Sequence, residues 1–153
     1  MTAAGGRLRL VLDTNVWLDW LVFDDPGVAP IREALAADRV EIVIDAACEA
    51  ELERALAYDF GRRTRDARAQ AACLAECRRI ARRIDVPVAE AERARLPVCR
   101  DRDDQKFLEA ALAAGAQILV TKDRALLELA RHGTRSRRRS PPFRILAPAE
   151  FSC

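Results

Sequence analysis

Residues 98–124 hold the densest group of side chains able to do chemistry in this sequence. Asp101, Asp103 and Asp104 open a helical pattern in which Asp104, Phe107, Leu108 and Ala111 recur at the spacing of one face. A carboxylate therefore heads a stripe that is otherwise buried, where an acid is costly unless something pairs with it. Gly115 closes the helix, Ile118-Leu119-Val120 reads as a short buried strand, and Thr121-Lys122-Asp123 stands where that strand emerges. Two acids from consecutive elements are thereby brought toward one edge of a sheet. Plain capping competes with this reading, since Asp101 makes a good N-cap and Asp103 and Asp104 then fall in the first turn, where the helix dipole favours negative charge.

The rest of the chain repeats the pattern of an acid after a strand. Leu8 to Leu12 is a short, mostly apolar run ending in Asp13-Thr14-Asn15, and Val16 to Val22 continues as an apolar helix start. Thr14 and Asn15 are natural caps, whereas Asp13 stands at the carboxyl end of a central strand, the place where open parallel sheets bind ligands. A turn at Asp24 to Gly27 and a helix from Ile31 to Ala37 lead to a second strand, Val40 to Ile44, which Asp45 follows as cap of a helix from Ala46 to Ala57. That helix buries Cys48, Leu52, Ala55 and Leu56; Glu51 lies beside the stripe, and Glu49 and Glu53 are expected to face solvent. From Thr64 to Ile84 the positions Ala67, Ala71, Leu74, Ala81 and Ile84 trace one helix face, leaving Arg68, Arg78, Arg79, Arg82 and Arg83 on a solvated one.

Pro87 and Pro97 mark an irregular connection into the acidic stretch, a further helix runs from Ala125 to Arg131, and Phe143 to Leu146 reads as a last strand. Residues 132–142 are polar, basic and aperiodic, the pattern of a flexible loop. Strands alternating with helices predict an α/β domain, a three-layer α/β/α sandwich on a mostly parallel sheet. With 153 residues and no internal repeat, the expectation is one domain with a short tail at 1–6.

Composition removes several alternatives. No apolar run reaches membrane-spanning length, and Met1 to Gly6 lacks a signal-peptide pattern, so a cytoplasmic protein is expected. Cys48, Cys73, Cys77, Cys99 and Cys153 form no pair of close-spaced couples and read as reduced thiols, and His132 is the sole histidine, which argues against zinc and against histidine-based hydrolysis. Acid, base or metal chemistry must then fall to carboxylates. The net charge of +2 conceals a segregation, with arginines gathered at 62–68, 78–83 and 131–139. A basic surface around an acidic pocket suits a polyanion.

Asp13, Asp45 and Asp123 each follow a strand, and Asp104 and Glu51 sit on helices entering or leaving the same sheet edge. Two carboxylates ~4 Å apart at an effective dielectric near 20 repel by roughly 4 kcal/mol. Shared protons relieve this, and so does a divalent cation; oxygen-only ligation favours Mg2+ or Mn2+ over zinc, and such ions suit phosphodiester cleavage.

In its Asp13-Thr14-Asn15 strand end, its Glu51-Leu52 pair, its Arg100-Asp101-Arg102-Asp103-Asp104 run into Phe107-Leu108, and its Thr121-Lys122-Asp123 before Leu126-Leu127, the chain resembles the PIN-domain ribonucleases. The resemblance runs from about Leu8 to Leu146 and is nearest to the bacterial branch of toxin components of toxin–antitoxin systems. It implies Asp13, Glu51, Asp104 and Asp123 as catalytic and metal-binding acids, Asp101 and Asp103 as auxiliary groups, and Asn15 and Thr121 as residues that orient ligands or touch substrate. It further implies Mg2+ or Mn2+, metal-activated water, single-stranded RNA as substrate, a cognate antitoxin and a homodimer. Lys122 and Arg137, Arg138 and Arg139 are candidate substrate contacts. Departures are Asp45 in place of Ser or Thr, Arg102 in place of proline, and Lys122, whose ammonium is expected to neutralise the pocket. The alternative is a PIN-like scaffold without metal that binds RNA or a protein partner.

Overall fold

Leu10, Val11 and Leu12 are consecutive and all buried. Neighbouring strand residues point to opposite faces, so this strand is covered on both sides. The same holds for Ile42-Val43-Ile44 and Ile118-Leu119-Val120. The computed structural model describes residues 6–132 and 141–153, without the side chains of 131 and 132. It shows five parallel strands, β1 (Leu8–Leu12), β2 (Val40–Ile44), β3 (Ala81–Arg83), β4 (Ile118–Val120) and β5 (Arg144–Leu146), in the order β3-β2-β1-β4-β5. Helices α1 (Thr14–Leu21), α2 (Ala29–Ala36), α3 (Ala46–Leu56), α4 (Ala67–Ile80), α5 (Glu90–Arg93), α6 (Gln105–Ala114) and α7 (Arg124–His132) fill the connections. This is the three-layer α/β/α arrangement that the alternating pattern predicts.

The strand order decides where a ligand belongs. From β1 the chain moves outward through β2 to β3, then crosses back to β4 on the other side of β1 and on to β5. The direction reverses between β1 and β4, and in open parallel sheets the crevice outside the carboxyl ends of such a pair is the binding place. Asp13 directly follows β1, and its N–H donates to the Val120 carbonyl at the end of β4 at 3.0 Å.

α6 buries Phe107, Leu108, Ala110, Ala111 and Ala114, and it ends at Gly115, whose φ of +63° takes the left-handed conformation that closes a helix most cheaply. Gln105 holds the approach to α6 in place, accepting from Cys99 N at 2.8 Å and donating to Pro97 O at 3.1 Å. Both sheet edges carry charge, Arg82 and Arg83 on β3 and Arg144 on β5, which discourages pairing with another chain.

Several expectations need correction. The helix foreseen from Thr64 to Ile84 stops at Ile80, and Ala81 turns to φ −97°, ψ 142° to begin β3. No glycine or proline marks this boundary; the transition is fixed by pairing of Ala81 with Ile42 and of Arg83 with Ile44. In α4 the buried face is Leu74 and Cys77, while Ala67 and Ala71 are exposed. Glu49, expected in solvent, is only 6% exposed and is clasped by Arg78 at 2.7 Å and Arg83 at 3.0 Å. Arg82 and Arg9 pair with Glu41 in the same way. Much of the arginine cluster at 78–83 is thus tied to acids of neighbouring elements. The tail at 1–5 and residues 133–140, the greater part of the basic loop, lie outside the described residues.

Candidate active site

Asp13 is the N-cap of α1 and is 3% exposed. Its Oδ1 accepts from Val16 N at 2.9 Å, and its Oδ2 accepts from the Thr121 hydroxyl. Thr121 is fully buried and also accepts from Asp123 N at 2.9 Å, so one hydroxyl couples the ends of β1 and β4. Asp123 in turn caps α7, its Oδ1 accepting from Ala125 N at 2.8 Å and Leu126 N at 3.2 Å. Burial pushes the Asp13 carboxyl above the usual carboxylate range; the bonds from Thr121 and Val16 pull the other way, and the charge of Asp123 adds to the upward push.

Asp104 differs from these caps. It stands at the head of α6, but its side chain makes no capping hydrogen bond. Its Oδ2 is buried without a hydrogen-bond partner, and the Asp123 carboxylate lies within hydrogen-bonding reach. One carboxylate oxygen from each of Asp101, Asp104 and Asp123 lies within 4.8 Å of the others. Burial, then the charges of Asp123 and Asp101, contact with Asp123 and the charge of Asp13 push the Asp104 carboxyl up to about 7. Acids held this close with no donor between them form a site that a proton or a divalent cation satisfies. The donor set contains oxygen alone, which fits Mg2+ or Mn2+.

All four acids named from sequence, Asp13, Glu51, Asp104 and Asp123, line one cavity of about 240 Å³, together with Thr14, Asn15, Leu18, Ala55, Tyr58, Phe60 and Phe107. Glu51 enters it already engaged, with Lys106 Nζ at 2.6 Å from Oε1 and the Thr14 hydroxyl donating to Oε2. Asn15 lies on the rim, exposed. Asp101 also caps the turn before α6 through Asp103 N at 3.0 Å, so its capping and site roles coexist. Asp103 is exposed and lines neither this cavity nor its neighbour. Asp45 serves as cap of α3, accepting from Cys48 N at 2.9 Å, and lies outside the cavity lining.

Lys122 does not neutralise the pocket as expected. Its Nζ is 2.5 Å from Asp19 Oδ2, and Asp19 is 7% exposed on α1. Arg137, Arg138 and Arg139 fall outside the described residues. The five cysteines are free thiols, and burial pushes Cys77 up to about 12.

Several residues at the site escaped the sequence reading. Lys106 follows Asp104 by two positions in the first turn of α6, yet only the fold brings it to Glu51. Asp19 is hidden on an apolar helix, where a charged residue is itself the signal of a partner. A second cavity of about 450 Å³ is lined by Arg100, Asp101, Arg102, Asp123, Arg124 and Ala125, and shares Asp101 and Asp123 with the acid cluster. Arg100 is 3.5 Å from Glu128, whereas Arg102 and Arg124 make no ion pair among the described residues.

Solved structures with the same fold include VapBC2 from Rickettsia felis, crystallised bound to a DNA fragment from its promoter. The likeness has a TM-score of 0.59 at 17% identity and covers 92% of this chain and 98% of that one. PAE2754 from Pyrobaculum aerophilum matches with a TM-score of 0.51 at 16% identity, over 90% of this chain and 83% of the other. No curated protein matches. The family model for the PIN domain matches residues 9–125, a span that holds β1 through β4 and every acid of the cavity, and the chain therefore belongs to the PIN-domain family.

Proposed function

We propose that this protein is a divalent-metal-dependent endoribonuclease acting on single-stranded RNA, and the toxin of a toxin–antitoxin pair. The observation that carries the nuclease reading is Asp104: a buried, partnerless carboxylate oxygen facing Asp123 and Asp101, in the crevice where Asp13 emerges from β1. Structural acids end in hydrogen bonds or ion pairs, as Glu49 and Asp45 do here. An acid left without either calls for a proton or a cation, and the crowding of Asp101, Asp104 and Asp123 supports the cation.

Asp13, Glu51, Asp104 and Asp123, with Asp101 at their side, are the residues that would hold Mg2+ or Mn2+. Such an ion lowers the pKa of a bound water and neutralises charge on the leaving oxygen of a phosphodiester. Thr121 keeps Asp13 in one orientation, because its hydroxyl donates to the oxygen that Val16 N does not use. Glu51 belongs to the same cavity, and its bond to Lys106 keeps one negative charge compensated while leaving an acid that metal can draw upon. Arg102 and Arg124 set positive charge beside the acids, which favours approach of a phosphate-bearing strand.

The toxin role, with a cognate antitoxin as partner, is supported by the sequence resemblance and by the fold shared with VapBC2; the homodimer follows from the sequence resemblance alone. It is tested separately, by looking for a small protein encoded beside this one whose co-expression relieves growth arrest. The enzymatic claim is tested with purified protein and unstructured RNA. Cleavage should require Mg2+ or Mn2+, and Asp13→Asn and Asp104→Asn should abolish it while circular dichroism stays native. Undiminished cleavage by both variants would reject the site, and heat-silent titration with millimolar Mn2+ would favour the scaffold alternative.

A further inference from the structure

The acid cavity has a second wall with no part in holding a cation. Leu18, Ala55, Tyr58, Phe60 and Phe107 face the same space as the carboxylates. Phe60 is half-buried and meets Phe23 edge-on, with ring centroids 5.3 Å apart. Tyr58 tilts against Phe60 at 6.2 Å but is itself 56% exposed. Its backbone is anchored just beyond α3, Tyr58 N donating to Ala55 O at 3.1 Å. An aromatic ring is thus held at a cavity rim with little of its surface used in packing.

We infer that Tyr58, backed by Phe60, is a stacking platform for one unpaired base of single-stranded RNA, positioned beside the acids that act on the neighbouring phosphate. The inference rests on, and deepens, the reading of the cavity as a nuclease site. The choice of a polynucleotide over an apolar peptide follows from the adjoining cavity, which shares Asp123 with this one. That cavity begins at Asp101 and Asp123 and presents Arg102 and Arg124 without ion pairs among the described residues. A ligand crossing both cavities needs a flat apolar group at one end and anionic groups at the other, separated by a segment that tolerates carboxylates bridged by a cation. A nucleotide strand has this layout, and base-on-aromatic stacking accepts any base. In a duplex both faces of each base are already stacked, so the platform also selects unpaired strands.

The test is equilibrium binding of a labelled oligouridylate to the full chain in Ca2+, an oxygen-binding cation that compensates the acids, read by fluorescence anisotropy without turnover. Tyr58→Ala should weaken binding by about 5- to 100-fold, the range given by alanine substitution of stacking aromatics, while Tyr58→Phe binds as wild type. Replacing bases one at a time by abasic residues should cost wild type a similar factor at one position and cost Tyr58→Ala nothing there. Wild-type affinity in Tyr58→Ala, equal losses with and without the base, or no binding by the wild-type chain would overturn the inference. Because no cleavage is read, Tyr58-dependent binding by a chain that never cuts RNA would defeat only the nuclease reading. A cleaving chain indifferent to Tyr58 would defeat only the platform.

Discussion

Replacing Asp104 by asparagine should make the metal-free protein more stable at neutral pH while removing its response to metal. The Asp104 carboxyl moves from an ordinary 3.8 to about 7 on folding. Between those values the folded state keeps a proton that the unfolded chain has released, so stability is full below about pH 4, falls as pH rises toward 7, and is flat beyond. At 1.36 kcal/mol per pH decade the ceiling is roughly 4 kcal/mol; partial solvent access and sharing of the charge with Asp123 reduce it to about 1–3 kcal/mol. The asparagine side chain has no charge to release, so at pH 8 in EDTA the variant should melt higher than wild type by about 3–10 °C, and near pH 4 the two should converge. Millimolar Mn2+ should close or reverse this gap, since a cation at a hundred times its dissociation constant adds about 2.7 kcal/mol to the wild type alone. Differential scanning calorimetry at pH 4, 6 and 8, with EDTA or Mn2+, reads all of this. A variant less stable than wild type at pH 8 in EDTA, or one that keeps the Mn2+ shift, would refute the reasoning.

Other residues give sharper local outcomes. Thr121→Val leaves the buried Asp13 Oδ2 without its donor and should cost about 1–3 kcal/mol in urea denaturation and weaken Mn2+ binding in calorimetry, whereas Thr121→Ser restores both. Lys106→Met removes the cation that holds Glu51 and should tighten Mn2+ binding on the order of fivefold, as for one unit charge acting on a divalent ion ~8 Å away at a water-like dielectric near 80; weaker binding would show that Lys106 assists the metal site. Lys122→Met strands the buried Asp19 and should destabilise by about 1–3 kcal/mol at unchanged cleavage of RNA, and adding Asp19→Asn should recover most of the loss. A KM raised by Lys122→Met at unchanged stability would instead return it to the substrate.

The parts of this fold most legible in the sequence are those set by local pattern. The runs Leu10-Val11-Leu12, Ile42-Val43-Ile44 and Ile118-Leu119-Val120 are buried on both faces and announce a parallel sheet without any long-range information. Asp104, heading the apolar stripe of Phe107, Leu108 and Ala111, announces an acid in an unfavourable place. What stayed hidden depends on contacts between distant segments. β3 is three residues long and follows α4 without a stop signal, since its pairing with β2 outweighs the helical preference of Ala81, Arg82 and Arg83. Glu49 looked solvated because its partners Arg78 and Arg83 lie on α4 and β3. Lys122 was placed in the pocket by its neighbours Thr121 and Asp123, but successive residues diverge after a strand and its side chain reaches Asp19 on α1 instead. Glu51 was recognised as a cavity acid, but nothing local to it could reveal that Lys106 compensates its charge.

The account turns on a divalent ion lying between the ends of β1 and β4, and manganese can be located directly. Crystals grown with Mn2+ and measured above its absorption edge should show an anomalous peak in contact with Asp104 Oδ2 and Asp123. The peak should be absent in Asp104→Asn. An empty cavity at millimolar Mn2+, or a peak bound away from Asp104 and Asp123, would contradict it.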